Sequence, residues 1–216
     1  LPAAALTARL AFDWAQLKPG DRVLIHAASG GVGIAAIQLA RHHGATVYAT
    51  ASAHKRATLR DIGVEYVYDS RTTDFADQIL ADTDGAGVDV VLNSLTGEGF
   101  IEATVRATAK GGRFAEIAKR DIWTAEQMAA VRPDIDYGVI ALDVTMMNDP
   151  DHIQTLMVEV AEGLANGEWT PVPVPRMYWL ETDDLSVVGA PFYVMGRVEG
   201  RVPSDRPPYP IEGWLK

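Results

Sequence analysis

Residues 22–52 read RVLIHAASGGVGIAAIQLARHHGATVYATAS, and this stretch restricts the fold more than any other part of the chain. The apolar run RVLIHA is followed, after Ala28 and Ser29, by Gly30, Gly31 and Gly33. A helical pattern over 32–43 comes next, then a second apolar run at 46–50. A tight turn is the plainer explanation of the glycines, but the flanks point further. In a strand–turn–helix unit the first helical turn presents unpaired backbone N–H groups and the positive end of the helix dipole. A pyrophosphate reaches those groups only where no side chain blocks the approach, and glycine permits this. Two registers fit: Gly31, Gly33 and Ala36 match G-x-G-x-x-A, while Ala28, Gly30 and Gly33 match the same spacing with alanine first. Ser29, Gly30, Gly31, Val32 and Gly33 are therefore the candidate pyrophosphate cradle of a dinucleotide-binding βαβ unit.

The rest of the chain repeats the alternation. Strands are expected at 22–27, 46–50, 65–68, 88–93, 112–117 and 138–144, and helices at 32–43, 53–62, 73–82, 97–109 and 151–166. An extra helix, PAAALTARLAFDWAQL, leads into the first strand. Short apolar strands separated by amphipathic helices predict an α/β fold, a doubly wound Rossmann-type parallel sheet with helices on both faces. Composition shifts after about residue 170. TPVPVPRMYWL suits an edge strand or extended loop, and the proline-rich VPSDRPPYPIEGWLK reads as a linker or surface segment. The expected division is a cofactor-binding domain over 1–202 and a tail over 203–216.

The end of the second strand bears on the choice of dinucleotide. An NAD site would place Asp or Glu there against the ribose hydroxyls. This chain has Ser52, with Lys55 and Arg56 just after it. A hydroxyl and two cations suit a 2′-phosphate, so NADPH is expected over NADH. The alternative is that these residues only open a solvated helix.

Several function classes are disfavoured. The formal net charge of −10 repels a polyphosphate backbone, so no nucleic-acid partner is expected. No apolar run approaches the ~18 residues of a membrane span, and no signal-peptide pattern opens the chain. Absence of cysteine removes thiolate zinc sites, disulfides and cysteine nucleophiles, and fits a cytoplasmic location. The five histidines offer no plausible ligand set, so no metal is expected. There is no G-x-S-x-G elbow and no paired-carboxylate signature of a hydrolase. The start at Leu1 suggests a piece of a longer polypeptide.

Several segments together carry a family resemblance. DRVLIHAASGGVGIAAIQLARHHGATVYATAS resembles the cofactor domain of zinc-independent medium-chain reductases of the quinone-reductase type. DVVLNSLTGEGF, GGRFAEIAKRDI and YDSRTTDF narrow the likeness to enoyl reductase domains of modular polyketide synthases and animal-type fatty acid synthases. It covers roughly residues 1–170. The resemblance implies NADPH-dependent reduction of a 2-enoyl thioester carried on an acyl carrier protein, with hydride reaching the β-carbon and a proton the α-carbon. It places Asn93, Ser94 and Leu95 along the nicotinamide side of the crevice, and Arg71 beside the 2′-phosphate. It makes Lys119 the candidate catalytic lysine, with Asp121 holding it and setting its pKa. The plainer alternative is that KRD is a charged loop after a strand. Met146 and Met147 are candidates for an acyl pocket, with core packing the more ordinary role.

Departures from the family pattern matter too. Enzymes of this kind carry a second, mostly β subdomain before the cofactor domain, and nothing here corresponds to it. The family's E-I-G-K becomes Glu116-Ile117-Ala118-Lys119, and FRFMGQGKHIGKVV becomes the shorter PFYVMGRVEGRVP, where Arg201 stands in for the terminal lysine. Two rivals therefore stay open: a free-standing quinone or enone reductase, and a non-catalytic nucleotide-binding module that kept the fold. A homodimer is compatible with either.

Overall fold

The computed structural model describes residues 2–166, Met177–Glu181 and Phe192–Met195. The chain divides into two compact units, Leu1–Val172 and Pro173–Lys216. The first unit is built on six strands: β1 (Arg22–Ile25), β2 (Thr46–Ala51), β3 (Tyr66–Asp69), β4 (Val88–Asn93), β5 (Thr108–Glu116) and β6 (Asp136–Val139). In the second unit, β7 (Met177–Glu181) and β8 (Phe192–Met195) pair antiparallel. The expected tail over 203–216 lies outside the described residues, as does Arg201.

The strand order of the first unit is β3-β2-β1-β4-β5-β6, and every neighbouring pair is parallel. This is the doubly wound order, whose direction reverses between β1 and β4 and opens a crevice at the carboxyl ends of the strands. Among the described residues eight helices accompany the sheet: α1 (Pro2–Trp14), α2 (Gly31–His42), α3 (Ala53–Asp61), α4 (Phe75–Asp82), α5 (Phe100–Ala107), α6 (Ala125–Val131), α7 (Leu142–Asn148) and α8 (Pro150–Ala165).

Strand periodicity sorts the core into two layers. Along β1, Val23 and Ile25 pack on one face and Leu24 on the other; along β4, Val90 and Leu92 oppose Val91. One face receives α1, α2 and α8 through residues such as Leu6, Phe12, Ile37, Leu39 and Ile153. The other receives α4, α5 and α6 through Phe75, Ile79, Ile101, Val105 and Met128. The alanines of α2 allow it to lie close to the sheet. At Gly33 the approach is closest, since a Cβ there would stand 2.5 Å from the backbone of Ala28.

The expected strand over 138–144 is shorter and earlier. β6 pairs with β5 from Asp136↔Arg113 to Val139↔Glu116, and β5 ends at that point. An edge strand has no second neighbour, so the apolar run beyond Ile140 turns into α7 instead. The expected helix over 97–109 is trimmed to α5, because Thr108 already pairs with Val88; a register shift between Val88 and Val90 then brings Arg113 opposite Val90. α6 had no counterpart in the apolar pattern. Its signal is the capping box of Thr124 and Gln127, which satisfies two backbone donors at its start.

Candidate functional site

The glycine turn joins β1 to α2 beside the point where the strand order reverses. Ala27 adopts a left-handed conformation (φ 48°), and Gly30 N–H closes back on the Ala27 carbonyl at 2.8 Å. The Ala28 N–H bonds the Thr50 carbonyl at the end of β2. Gly30 is the N-cap of α2; no side chain caps that terminus, and its first turn has no acidic residue. Gly30 and Gly31 are exposed, with Ser29 and Val32 half-buried. The cradle residues thus divide into two roles. Gly30 and Gly31 leave the helix terminus open, whereas Gly33 is required for the close contact of α2 with the Ala28 backbone of the turn, leaving no space of its own for a ligand.

His26 sits beneath this turn, fully buried at the end of β1. Its Nδ1 lies 2.9 Å from Thr50 Oγ1 and its Nε2 3.0 Å from Thr104 Oγ1. Because the Thr104 hydroxyl donates to the Phe100 carbonyl at 2.7 Å, it accepts from His26. Nε2 therefore carries a proton, and in the neutral ring that burial favours, Nδ1 accepts from Thr50. Burial pushes its pKa from 6.5 down to about 3.

On the β2–β3 side, pairing of Ala51 with Asp69 brings the two strand ends together. Ser52 is the N-cap of α3, and its Oγ lies 3.3 Å from His54 Nδ1. Arg56 Nη2 stands 3.5 Å from Asp69 Oδ2, while the Arg71 N–H donates to Asp69 Oδ1 at 2.9 Å. The Arg56 side chain and the Arg71 backbone thus meet at Asp69, with Ser52 following Ala51, the strand partner of Asp69, and half-buried Lys55 on the same helix turn as Arg56. The linear sequence shows no acid beside Lys55 and Arg56, and here the fold corrects it. Asp69 comes from the neighbouring strand, and Arg56 engages its charge.

On the β4–β5–β6 side, Asn93 and Glu116 face each other at the ends of their strands, both fully buried. Asn93 Nδ2 donates to Glu116 Oε2 at 2.6 Å, and the Ala118 N–H donates to Glu116 Oε1 at 2.8 Å. Asn93 Oδ1 accepts the Leu95 N–H at 3.2 Å. Burial raises the Glu116 pKa, opposed by the bonds from Asn93, Ala118 and Ile117. Next in the chain, the Ser94 Oγ is buried without any hydrogen-bond partner, the one such side-chain atom among the described residues. A buried hydroxyl left unpaired at the mouth of a crevice fits a polar group arriving from a ligand.

Lys119 follows in the loop after β5. Its Nζ lies 2.6 Å from Asp143 Oδ2 at the start of α7. Asp121, expected to hold this lysine, instead occupies an exposed left-handed turn (φ 55°), and the carboxylate beside Lys119 belongs to Asp143. The ammonium pulls the Asp143 pKa below its ordinary value. The pair lines a cavity of about 280 Å³ with Thr7, Ile117, Ile140 and Met146. Met146 and Met147 are not core residues; Met146 lines the cavity, and Met147 is 76% exposed. Glu116 and Asp69 lie inside the segments GGRFAEIAKRDI and YDSRTTDF but were not singled out there, and Asp143 carries no motif signal. Asp143 is 24 residues beyond Lys119 and follows a different strand.

A family model for zinc-binding dehydrogenases matches residues 31–162. The chain belongs to that family. Within it, the enoyl reductases of polyketide synthases are prominent relatives. A phenolphthiocerol/phthiocerol polyketide synthase of Mycobacterium tuberculosis is 45% identical over 162 residues, covering 74% of this chain and 7% of that protein. The pikromycin synthase component PikAII of Streptomyces venezuelae is 42% identical over 177 residues, 81% of this chain and 5% of that protein. Among solved structures, CurK enoyl reductase superposes with a TM-score of 0.78 at 42% identity, covering 81% of this chain and 53% of that one. The nucleotide-binding subdomain of the enoylreductase domain of PpsC from Mycobacterium tuberculosis gives 0.72 at 43% identity, covering 79% and 97%. The chain therefore spans about half of the CurK structure and a small part of each synthase.

Two groups implied by this family can be tested against the residues. Zinc does not fit: the sequence has no cysteine, and among the described residues no three His, Asp or Glu side chains converge on one point. A nicotinamide dinucleotide does fit. The open start of α2, the Ser52–Arg56–Arg71 group and the unpaired Ser94 hydroxyl lie at the carboxyl ends of successive strands, where such a ligand extends. Among the described residues no helix is long and apolar enough to cross a membrane.

Proposed function

We propose that this chain binds NADPH and forms the nicotinamide-side wall of an enoyl reductase. The substrate is a 2-enoyl thioester presented by an acyl carrier protein within a polyketide synthase. The observation that carries the reading is the Lys119–Asp143 pair, set in a partly apolar cavity next to the Asn93–Glu116 strand ends.

The Ser29–Gly33 turn would hold the pyrophosphate, with Ser52, Lys55, Arg56 and Arg71 around the 2′-phosphate and Ser94 and Leu95 against the nicotinamide. When bound, the reduced nicotinamide supplies a hydride to the β-carbon of the enoyl group. Electrons then move toward the thioester oxygen. The Lys119 ammonium, held by Asp143, offsets that developing charge or delivers the proton that the α-carbon takes up. Ile117, Ile140 and Met146 give the cavity an apolar side, but Lys119 and Asp143 are 69% and 58% exposed, so the attraction of the ammonium for an enolate strengthens only where a second cleft wall excludes water. Asp121 contributes through the backbone turn of the loop bearing Lys119.

The test is NADPH binding by the chain, and crotonyl-thioester turnover with and without an appended substrate-side subdomain. Binding by the chain, with turnover appearing only when the second subdomain is supplied, supports the reading. Absence of NADPH binding overturns it.

A further inference from the structure

The Asn93–Glu116 pair has a hydrogen-bond polarity that constrains its charge. Both oxygens of Glu116 face donors: Oε1 meets the Ala118 N–H and Oε2 meets the Asn93 amide nitrogen. Asn93 is oriented by its other side, because its Oδ1 must accept the Leu95 N–H. A proton on Glu116 would find no acceptor, because the groups that meet its two oxygens, the Asn93 amide nitrogen and the Ala118 N–H, are both donors. Reversing Asn93 would supply one only by pointing its nitrogen at the Leu95 N–H. The arrangement is satisfied by a carboxylate with two acceptor oxygens. No cation among the described residues pairs with it. Arg113, three residues earlier on the same strand, is committed to Asp21 and to the carbonyls that follow α1.

The fold thus sets a buried negative charge at the ends of β4 and β5. These strands belong to the half of the sheet that receives the nicotinamide when the adenosine lies over β1–β3. The oxidised nicotinamide ring is cationic and the reduced ring neutral. We infer that Glu116 is a positioning residue and fixed anion behind this crevice, which favours the oxidised ring over the reduced one and so favours departure of the hydride. Through Asn93 it orients the Ser94–Leu95 backbone, and through Ala118 it orients the loop leading to Lys119. The inference rests on the nicotinamide-dinucleotide reading above.

The experiment measures NADP⁺ and NADPH dissociation constants by calorimetry for the full 216-residue chain and three variants. Glu116→Gln removes the charge and sets two amide donors against each other. The ratio of NADP⁺ to NADPH affinity should fall roughly ten-fold, the order expected for one charge about 12 Å away at an effective dielectric constant of about 20. The exchange Asn93→Asp, Glu116→Gln restores the charge and every donor–acceptor match, with the introduced amide donating to the introduced carboxylate. Its ratio should return to within about three-fold of the unmodified chain. Asn93→Leu, Glu116→Met replaces both side chains by apolar groups and keeps the test open should Glu116→Gln not fold; it frees the Leu95 and Ala118 N–H groups, so its stability is measured alongside. It should show the same roughly ten-fold fall. A purely structural role would weaken both dinucleotides equally, so an unchanged ratio in the neutral variants overturns the inference, as does an exchange variant that behaves like Glu116→Gln. An unmodified chain that binds neither dinucleotide overturns the cofactor reading itself.

Discussion

The Lys119 ammonium lies 2.6 Å from the carboxylate of Asp143, joining the loop after β5 to the first turn of α7 across the mouth of a cavity. A lysine side chain, long and flexible, would sample many positions from such an exposed loop. The carboxylate, itself near a helix N-terminus, selects one of them.

Lys119→Ala should lower turnover of a 2-enoyl thioester by about 10²-fold in the enzyme with its second subdomain present. Asp143→Asn should give a smaller loss, because the ammonium remains but is no longer held. NADPH affinity should change little in either. Steady-state kinetics with crotonyl thioester decides the matter, and an unaffected Lys119→Ala variant would show that the enolate is handled elsewhere.

Cofactor choice follows from the cluster around Asp69. NADPH should bind at least ten-fold more tightly than NADH, equivalent to ~1.4 kcal/mol. The double change Lys55→Glu, Arg56→Glu should erase that preference by replacing two cations with two anions. Fluorescence titration of both dinucleotides tests this, and equal affinities in the unmodified chain would refute it.

The two roles within the glycine turn separate by substitution. Gly33→Ala should cost about 3 kcal/mol of stability, since its Cβ would meet the Ala28 backbone at 2.5 Å. Gly31→Val should leave the melting temperature nearly unchanged yet abolish dinucleotide binding, because a Cβ there meets only Ala4 Cβ, at 3.6 Å. Denaturant unfolding and calorimetry read the two effects independently. A stable Gly33→Ala or a binding-competent Gly31→Val would contradict this division.

His26 should make the fold sensitive to acid. Its pKa is about 3 in the folded chain against the ordinary 6.5, so the native state keeps a neutral ring. The unfolded chain binds the extra proton as pH falls below 6.5. The contribution is full above that pH and declines by about 1.4 kcal/mol per unit toward pH ~3. Urea unfolding at several pH values between neutrality and pH ~4 should show this slope, and a His26→Gln variant should lack it. An imidazole resonance of His26 that titrates at the ordinary value would contradict the buried neutral assignment.

The polarity pattern by itself determined the parallel α/β sheet and the place of its ligand crevice. Alternating apolar runs and the spacing of Gly30, Gly31 and Gly33 are local properties, and strand and helix periods read directly from neighbours along the chain. Asn93, Ser94, Leu95 and Lys119 were singled out by the family resemblance, and the polarity pattern placed them at or just after strand ends. Tertiary structure alone decided the partners: Asp143 rather than Asp121 for Lys119, Asp69 beside Arg56, Glu116 across from Asn93, and Ala28 against Gly33. It also decided that GVIALDV stops being a strand once β5 runs out of backbone to pair with. Each of these depends on which strand ends lie side by side and on how far each pairing extends, and strand order is set by packing between residues far apart in the chain.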